Sequence, residues 1–450
     1  MGKLFGTDGI RGVANETLTC ELAMQVGRAA AVVLTDVGQR KPVFAIGMDS
    51  RVSSDMFAGA LTAGLCSMGA DVLQLGLVPT PAVAHLVGKY QADAGIMISA
   101  SHNPAEYNGI KLFSGDGFKL ADALEDEIER IVQDDTALSQ LATGGRIGKS
   151  STVRSAVRDY VEYVTASTDT SLAGLRIAID CANGAASATA AAIFQELGAQ
   201  CHMLFDQYNG VNINLGCGST DMQALTEYVL EHKLDAGIAF DGDADRLLCV
   251  DGNGTLLDGD AILALCGLDM KKRGKLKKDT LVGTVMTNLG LVRFCEQNGI
   301  AFVATKVGDR YILKEMQKQG YSLGGEQSGH IILLDHATTG DGQLTAVQLL
   351  AQLQREGVKL ADVSGVIQRY PQMLVNICAS EAGKERFFQD PVIQAAIEDG
   401  ERHMGRSGRV LVRVSGTEGL IRVMTEGEDN AVMESVCRQI AAVIEQRLAE

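Results

Sequence analysis

Three stretches of this chain repeat one order of elements, and that repetition constrains the fold more than any other feature. "KPVFAIGMD" (41–49) reads as a buried strand and 53–68 as a helix rich in Ala, Leu and Met. "ADVLQLGLV" (70–78) and "AGIMIS" follow as further strands. The order restarts in "LRIAIDCANGAASATAAAIFQELGAQCHMLF" (175–205): strand, Asn-Gly turn, Ala-rich helix, strand, with Gly198 closing the helix. It restarts again in "DTLVGTVMTNLGLVRFCEQNGIAFVAT" (279–305), with a glycine after the helix once more. Apolar strands alternating with helices predict βαβ units on a largely parallel sheet.

The end of the chain departs from this rhythm. "GRVLVRVSGTEGLIRVMTEG" (408–427) reads as strand, tight polar loop, strand, and 430–450 as an amphipathic helix. A chain of 450 residues also exceeds what one ordinary core can bury. The expected fold class is therefore α/β with four domains: three similar βαβ-type, mixed-sheet domains in series and a smaller C-terminal α+β domain. Their expected bounds are 1–155, 156–255, 256–368 and 369–450. Breaks in the apolar pattern at 148–155, 251–259 and 366–373 read as linkers, and Asp122–Gln133 as an exposed helix.

Composition narrows the partners. A net charge of -16 disfavours nucleic acid and anionic membranes, which are bound through basic patches. Aromatic residues make up 5% of the chain and Trp is absent, so stacking platforms for single strands are not expected. The ten cysteines stand singly without a CxxC pair, as in a reducing compartment. "MGKLFGTDGIRG" lacks the apolar stretch of a signal peptide, and no apolar run reaches the ~20 residues that span a bilayer. The expectation is a cytoplasmic protein.

The sharpest chemical signal is "AGIAFDGDADRLLCVDGNG", where Asp241, Asp243 and Asp245 follow a buried strand at alternate positions. Small spacers let three carboxylates converge, and crowded carboxylates repel unless a divalent cation sits among them. Hard oxygen ligands suit Mg²⁺, and Arg246 beside them would add a phosphate contact. An EF-hand reading fails, because its sixth and twelfth positions are Arg246 and Gly252. A DxDxT phosphatase reading fails because Asp245 stands where Thr is needed.

Three other stretches carry polar groups at turns. "RVSGTEGLIR" places Ser415, Gly416 and Thr417 between strands, flanked by Arg413 and Arg422, as an anion nest or an ordinary hairpin turn. "SLGGEQSGHI" presents Glu326, Ser328 and His330, a set suited to sugar hydroxyls and to phosphate. "GIMISASHNPAEYNG" breaks a buried strand into Ser99, Ser101 and His102, either a nucleophile with its base or a polar cap. Arg11 in "FGTDGIRG" and Lys306 in "TKVGDRY" add cations, each by itself no more than a surface charge.

In this order, "GTDGIRG", "SASHNP", "DGDADR", "GGEQSGH" and "SGTEGLIRV" resemble the motifs of the α-D-phosphohexomutase superfamily, across essentially the whole chain. "KVGDRY", "GGEQSGHI" and "TTGDG" are most similar to its bacterial members acting on glucosamine phosphates. The resemblance implies a site in the central cleft between the four domains. It implies that Ser101 is phosphorylated, with Ser99 only a neighbour, and that Asp241, Asp243 and Asp245 hold Mg²⁺ with an oxygen of the Ser101 phosphate. Glu326 and Ser328 would grip sugar hydroxyls, and Arg413, Ser415, Gly416 and Thr417 the non-reacting phosphate. Arg11, Lys306, His102 and His330 would line the reacting centre as proton carriers and charge stabilisers.

The implied reaction interconverts glucosamine 6-phosphate and glucosamine 1-phosphate through a 1,6-bisphosphate, on the route to UDP-N-acetylglucosamine and cell wall. Glucosamine or glucose 1,6-bisphosphate would serve as activator. The implied partner is a sugar phosphate, and a homodimer stays open. Rival readings are a member acting on mannose or glucose phosphates, a non-catalytic sugar-phosphate binder, and a metal-dependent phosphatase. Two positions depart from the family pattern: Gly419 replaces a proline in the phosphate loop, and Ala244 replaces a glycine in the metal loop.

Overall fold

The computed structural model describes residues 4–6, 8–35, 40–134, 141–414 and 419–449. Its first sheet holds β1 (Ile10–Val13), β2 (Val43–Met48), β3 (Asp71–Leu77), β4 (Ala94–Ile98), β5 (Tyr107–Ser114) and β6 (Ser150–Thr152) in the order β1-β5-β4-β2-β3-β6. The second holds β7 (Arg176–Asp180), β8 (Gln200–Leu204), β9 (Ala236–Phe240), β10 (Leu247–Asp251) and β11 (Leu256–Leu257) in the order β11-β10-β9-β7-β8. The third holds β12 (Thr280–Thr284), β13 (Ala301–Thr305), β14 (Leu323–Gly325) and β15 (Ile331–Leu333) in the order β13-β12-β14-β15. The fourth is wholly antiparallel, with β16 (Gln372–Cys378), β17 (Gly408–Val414) and β18 (Leu420–Gly427) in the order β16-β18-β17.

The repetition expected from the sequence is literal in the topology. In each of the first three sheets a strand (β2, β7, β12) leads through a helix to a parallel neighbour (β3, β8, β13). A second helix leads to a parallel strand on the other side (β4, β9, β14), which turns back into an antiparallel partner (β5, β10, β15). The central strands are buried throughout, as "AGIMI" of β4 and "AGIAF" of β9 show. Strands covered on both faces need a continuous apolar run rather than alternation.

Two expected linkers are built into sheets instead. Ser150–Thr152 forms the exposed edge strand β6 beside β3, and its Ser/Thr composition carries no apolar signature. "DGNGTLLDG" turns β10 into β11 as a hairpin, with Asp251 Oδ1 accepting the N–H groups of Asn253 and Thr255, both at 2.8 Å. Expected helix Asp122–Gln133 forms, with Ile128 and Ile131 buried rather than exposed.

The chain divides into two compact units, Met1–Met286 with Asn298–Val366, and Thr287–Gln297 with Ile367–Glu450. The second unit therefore takes the helix Leu289–Gln297 out of the third repeat. There the Leu289 N–H meets Glu426 Oε1 at 3.2 Å, and Asn288 Nδ2 donates to the Tyr370 carbonyl at 2.9 Å. The unit's core joins Ile421 and Val423 of β18 to Val436, Ile440 and Ile444 of the last helix, Asn430–Ala449. Among the described residues no helix is long and apolar enough to cross a membrane, and all ten cysteines are free thiols.

Candidate active site

The antiparallel hairpin that closes each repeat carries a candidate loop. Residues 99–106 join β4 to β5, 241–246 join β9 to β10, and 326–330 join β14 to β15. Each loop bends through one residue of positive φ: Ser101 at 54°, Ala244 at 58° and Gly329 at 92°. All three belong to the first compact unit, and they meet one another. The Leu247 N–H donates to the Gly329 carbonyl at 3.0 Å, and a Cβ on Gly242 would stand 2.5 Å from the Ser101 carbonyl oxygen.

Ser101, buried at the end of β4, donates its hydroxyl to Asp241 Oδ2 at 2.5 Å. Asp243 Oδ2 accepts Thr80 Oγ1 at 2.5 Å and Lys111 Nζ at 2.7 Å. Thr80 opens the helix Thr80–Lys89, whose N-terminal dipole favours the carboxylate placed there. Ligand atoms of Asp241, Asp243 and Asp245 all lie within 4.8 Å of one another, and all three residues are buried. Asp243 Oδ1 has no hydrogen-bond partner. Three converging carboxylates with an unsatisfied buried oxygen fit a hard divalent cation, so these residues could hold a metal ion.

Around the carboxylates runs a closed ring of alternating basic and acidic groups. Lys111 Nζ lies 3.5 Å from Asp245 Oδ2 and 2.9 Å from Asp8 Oδ2. Asp8 and Asp309 both pair with Lys119. His330 Nε2 lies 3.4 Å from Asp309 Oδ2, and its Nδ1 lies 3.5 Å from Asp245 Oδ1, which closes the ring. Arg11 joins at Asp8, 2.6 Å away. The ring draws Asp8, Lys111 and Lys119 from the first repeat, Asp245 from the second, and Asp309 and His330 from the third.

The charges settle accordingly. Burial and the Asp245 and Asp243 carboxylates push Asp241 well above the usual carboxylate range. Burial also opposes the charge on Asp245, but the Lys111, His330 and Arg246 cations outweigh it and hold that carboxyl far below its ordinary value. Burial disfavours the Lys111 ammonium, yet Asp243, Asp8 and Asp245 raise it well above its usual range, so it stands as a fixed cation. His102, with Nδ1 3.3 Å from Ser101 Oγ, is lowered to about 4 by burial and by the Arg246 and Arg11 cations.

The remaining sequence candidates take varied positions. Arg246 donates its N–H to Asp241 Oδ1 at 3.2 Å and bridges to His330 through the backbone. Glu326 Oε1 accepts the Gly308 N–H at 3.1 Å, and Ser328 is exposed. Lys306 is exposed with its Nζ 6.0 Å from the Tyr311 ring centre, and no ion pair joins it to the carboxylates among the described residues. In the second unit, Arg413 and Arg422 stand directly opposite across β17 and β18, and burial together with Arg422 lowers the Arg413 pKa. Like charges in register repel unless an anion joins them. Ser415, Gly416 and Thr417 lie outside the described residues. Gly419 borders them, and its carbonyl accepts the Ala379 N–H at 2.8 Å.

Sequence reasoning missed Lys111, Thr80, Asp8, Lys119 and Asp309. Lys111 left a signal, a lone cation inside the apolar strand "YNGIKLFS". Asp8 and Asp309 sit within "FGTDGIRG" and "KVGDRY", where the neighbouring cations are the plainer signal.

Known proteins resemble this chain over its whole length. Residues 2–139, 158–254, 258–370 and 374–443 match, in turn, the alpha/beta/alpha domains I, II and III and the C-terminal domain of the family described as phosphoglucomutase/phosphomannomutase. The chain is 51% identical over 448 residues to a phosphoglucosamine mutase of Caldanaerobacter subterraneus subsp. tengcongensis, covering 100% of both chains. It is 50% identical over 448 residues to that of Acetivibrio thermocellus, again covering 100% of both. A phosphoglucomutase/phosphomannomutase family protein from Burkholderia thailandensis shares the fold at a TM-score of 0.83 and 24% identity, with 99% of this chain and 97% of that one covered. Aspergillus fumigatus N-acetylphosphoglucosamine mutase, solved with GlcNAc-6P and magnesium, shares it at a TM-score of 0.66 and 16% identity, with 99% and 96% covered. Full-length identity near one half, joined to four family domains in the expected order, places this chain in the phosphoglucomutase/phosphomannomutase family of α-D-phosphohexomutases.

Proposed function

We propose that this chain is a phosphoglucosamine mutase, an isomerase that interconverts glucosamine 6-phosphate and glucosamine 1-phosphate through phosphorylated Ser101. The observation that carries the reading is the placement of Ser101 Oγ 2.5 Å from Asp241, inside three buried carboxylates with an unsatisfied oxygen. A serine there suits phosphoryl transfer, which needs positioning and charge neutralisation more than covalent activation. The full-length likeness to phosphoglucosamine mutases supports the choice of sugar.

In the forward direction the phosphoryl group leaves Ser101 Oγ for the sugar O1, breaking one P–O bond and forming another, and the O1 proton passes to a base. His102, His330 and Lys306 are the candidates to carry it, His102 lying 3.3 Å from Ser101 Oγ. The 1,6-bisphosphate then turns over, its 6-phosphoryl group returns to Ser101 Oγ, and the proton goes back to O6. Asp241, Asp243 and Asp245 would hold Mg²⁺, which when bound would neutralise charge on the transferring phosphoryl group. Lys111 and Arg246 add fixed positive charge beside it. Glu326 and Ser328 present polar groups for sugar hydroxyls, and Arg413 and Arg422 for the phosphate that does not react. Glucose 1,6-bisphosphate would load an unphosphorylated Ser101. An acidic chain with no membrane-spanning helix among its described residues fits a cytoplasmic enzyme with no nucleic-acid partner, and sedimentation would show whether it is a homodimer.

Intact mass before and after incubation with glucose 1,6-bisphosphate tests the carrier. A gain of one phosphoryl group mapped to Ser101 is expected, and a gain at any other residue would refute it. Side-by-side assays of glucosamine, mannose and glucose 6-phosphates test the sugar, and a clear preference for mannose or glucose would reject glucosamine. Free phosphate released as fast as isomerisation would make the chain a phosphatase instead.

A further inference from the structure

The guanidinium of Arg51 is buried beneath the loop that carries Ser101. A guanidinium offers five N–H donors, and five acceptors meet them. Nε donates to Asp49 Oδ2 at 2.9 Å. Nη1 donates to the Tyr107 carbonyl at 3.0 Å and to that of Pro104. Nη2 donates to the carbonyls of Ser101 at 3.0 Å and Asn103 at 2.8 Å.

Asp49 extends the grip. It accepts the hydroxyls of Ser99 at 2.6 Å and Ser54 at 3.0 Å, and Ser99 Oγ accepts the Ser101 N–H at 2.9 Å. Ser99 is therefore an anchor of the loop, not merely a neighbour. From the second repeat, Asn214 Nδ2 reaches the Ser101 and Asn103 carbonyls at 2.9 and 3.0 Å. Both backbone polar groups of Ser101 are thus fixed. They fix a residue at φ 54°, a conformation that strains an L-residue and persists only where its surroundings over-determine it.

We propose that Arg51, backed by Asp49–Ser99 and by Asn214, is the positioning residue that holds Ser101 left-handed with its Oγ toward Asp241. Phosphoryl transfer, rather than sugar-phosphate binding, then depends on it. The inference rests on Ser101 as the phosphoryl carrier. An ammonium cannot replace the guanidinium, because three donors at one point cannot span four carbonyls between residues 101 and 107.

The test compares Arg51→Lys, Arg51→Ala, Asn214→Ala and Ser101→Ala in the full chain. It reads kcat and KM for glucosamine 6-phosphate, melting temperature, and Ser101 phosphorylation after glucose 1,6-bisphosphate. Displacing a reacting atom by about 1 Å costs on the order of 100-fold. A folded Arg51→Lys should lose about that in kcat, with KM within about threefold and slower loading of Ser101. Added guanidinium should restore part of the kcat of Arg51→Ala and none of Ser101→Ala. Should the Arg51 variants fail to fold, Asn214→Ala decides, since its half-buried side chain gives up two of the loop's bonds, and kcat should fall about tenfold. Unchanged kcat in folded Arg51→Lys or in Asn214→Ala, or a raised KM with kcat intact, overturns the proposal. An active Ser101→Ala would overturn the carrier reading instead, which separates the two failures.

Discussion

The serine loop (99–106) and the aspartate loop (241–246) occupy the same place in successive repeats, between a buried parallel strand and its antiparallel partner. Each turns through one non-glycine residue of positive φ. They are secured by different groups. The first is held by its backbone, through side chains, Arg51 and Asn214, on its carbonyls, with the Ser101 hydroxyl turned to Asp241. The second is held by its carboxylates as well, through Ser101, Thr80, Lys111 and His330, which forces like charges together, while its carbonyls accept the N–H groups of Ala185, Thr80 and Gly342. The topology decides where a loop can do chemistry, and the manner of its fastening decides which chemistry.

The comparison breaks first at Ser101. Ser101→Ala should lower turnover by about 10⁴-fold or more, as removal of a covalent carrier does, while a melting shift on adding Mg²⁺ survives in the intact carboxylate cluster. Loss of that shift would mean the two loops do not act separately. Lys111→Met comes next. It leaves Asp243, Asp245 and Asp8 without their shared buried cation, and breaking such a pairing costs about 3–5 kcal/mol. Urea unfolding without metal should show that loss, and Mg²⁺ should recover more stability in the variant than in the parent.

Gly329→Ala tests the third member of the set. Its Cβ would stand 2.3 Å from the Leu247 carbonyl oxygen at a φ of 92°, so a loss of about 3 kcal/mol is expected in the same unfolding measurement. Ala244→Gly should move stability by less than about 1 kcal/mol, because relief of the left-handed strain is offset by chain entropy.

A pH-dependent effect concerns the helix that carries Thr80. His85 on that helix stacks on Tyr163 at 3.8 Å between ring centres, and burial with the Lys89 charge lowers its pKa to about 4. Its folded pKa lies below the free value of 6.5, so the neutral form's contribution is complete above that pH. It is lost as pH falls from about 6.5 toward 4. Melting curves across this range should be flatter for His85→Phe than for the parent.

Much of this was legible beforehand, for a physical reason. Buried parallel strands announce themselves as apolar runs, and loops at their ends break into Ser, His, Asp and Gly, so Ser101, the three aspartates and His330 stood out. Lys111 did not, because a lysine in an apolar strand gains meaning only from carboxylates 132 and 134 residues away. Arg51 was hidden likewise, its partners being backbone carbonyls that no residue type advertises. The edge strand Ser150–Thr152 was read as linker because exposed strands carry no apolar pattern.

The helix Leu289–Gln297 leaves the third repeat for the second compact unit, so the chain passes between the units at 286–287, 297–298 and 366–367. The C-terminal unit is consequently not a detachable module. A chain cut near residue 366 would strip that segment of the bonds from the Leu289 N–H to Glu426 and from Asn288 Nδ2 to the Tyr370 carbonyl, and of the contact between Arg293 and the Tyr370 ring. Gene fusions, domain exchanges and truncations in this protein must carry residues 287–297 together with 367–450 as one inheritance.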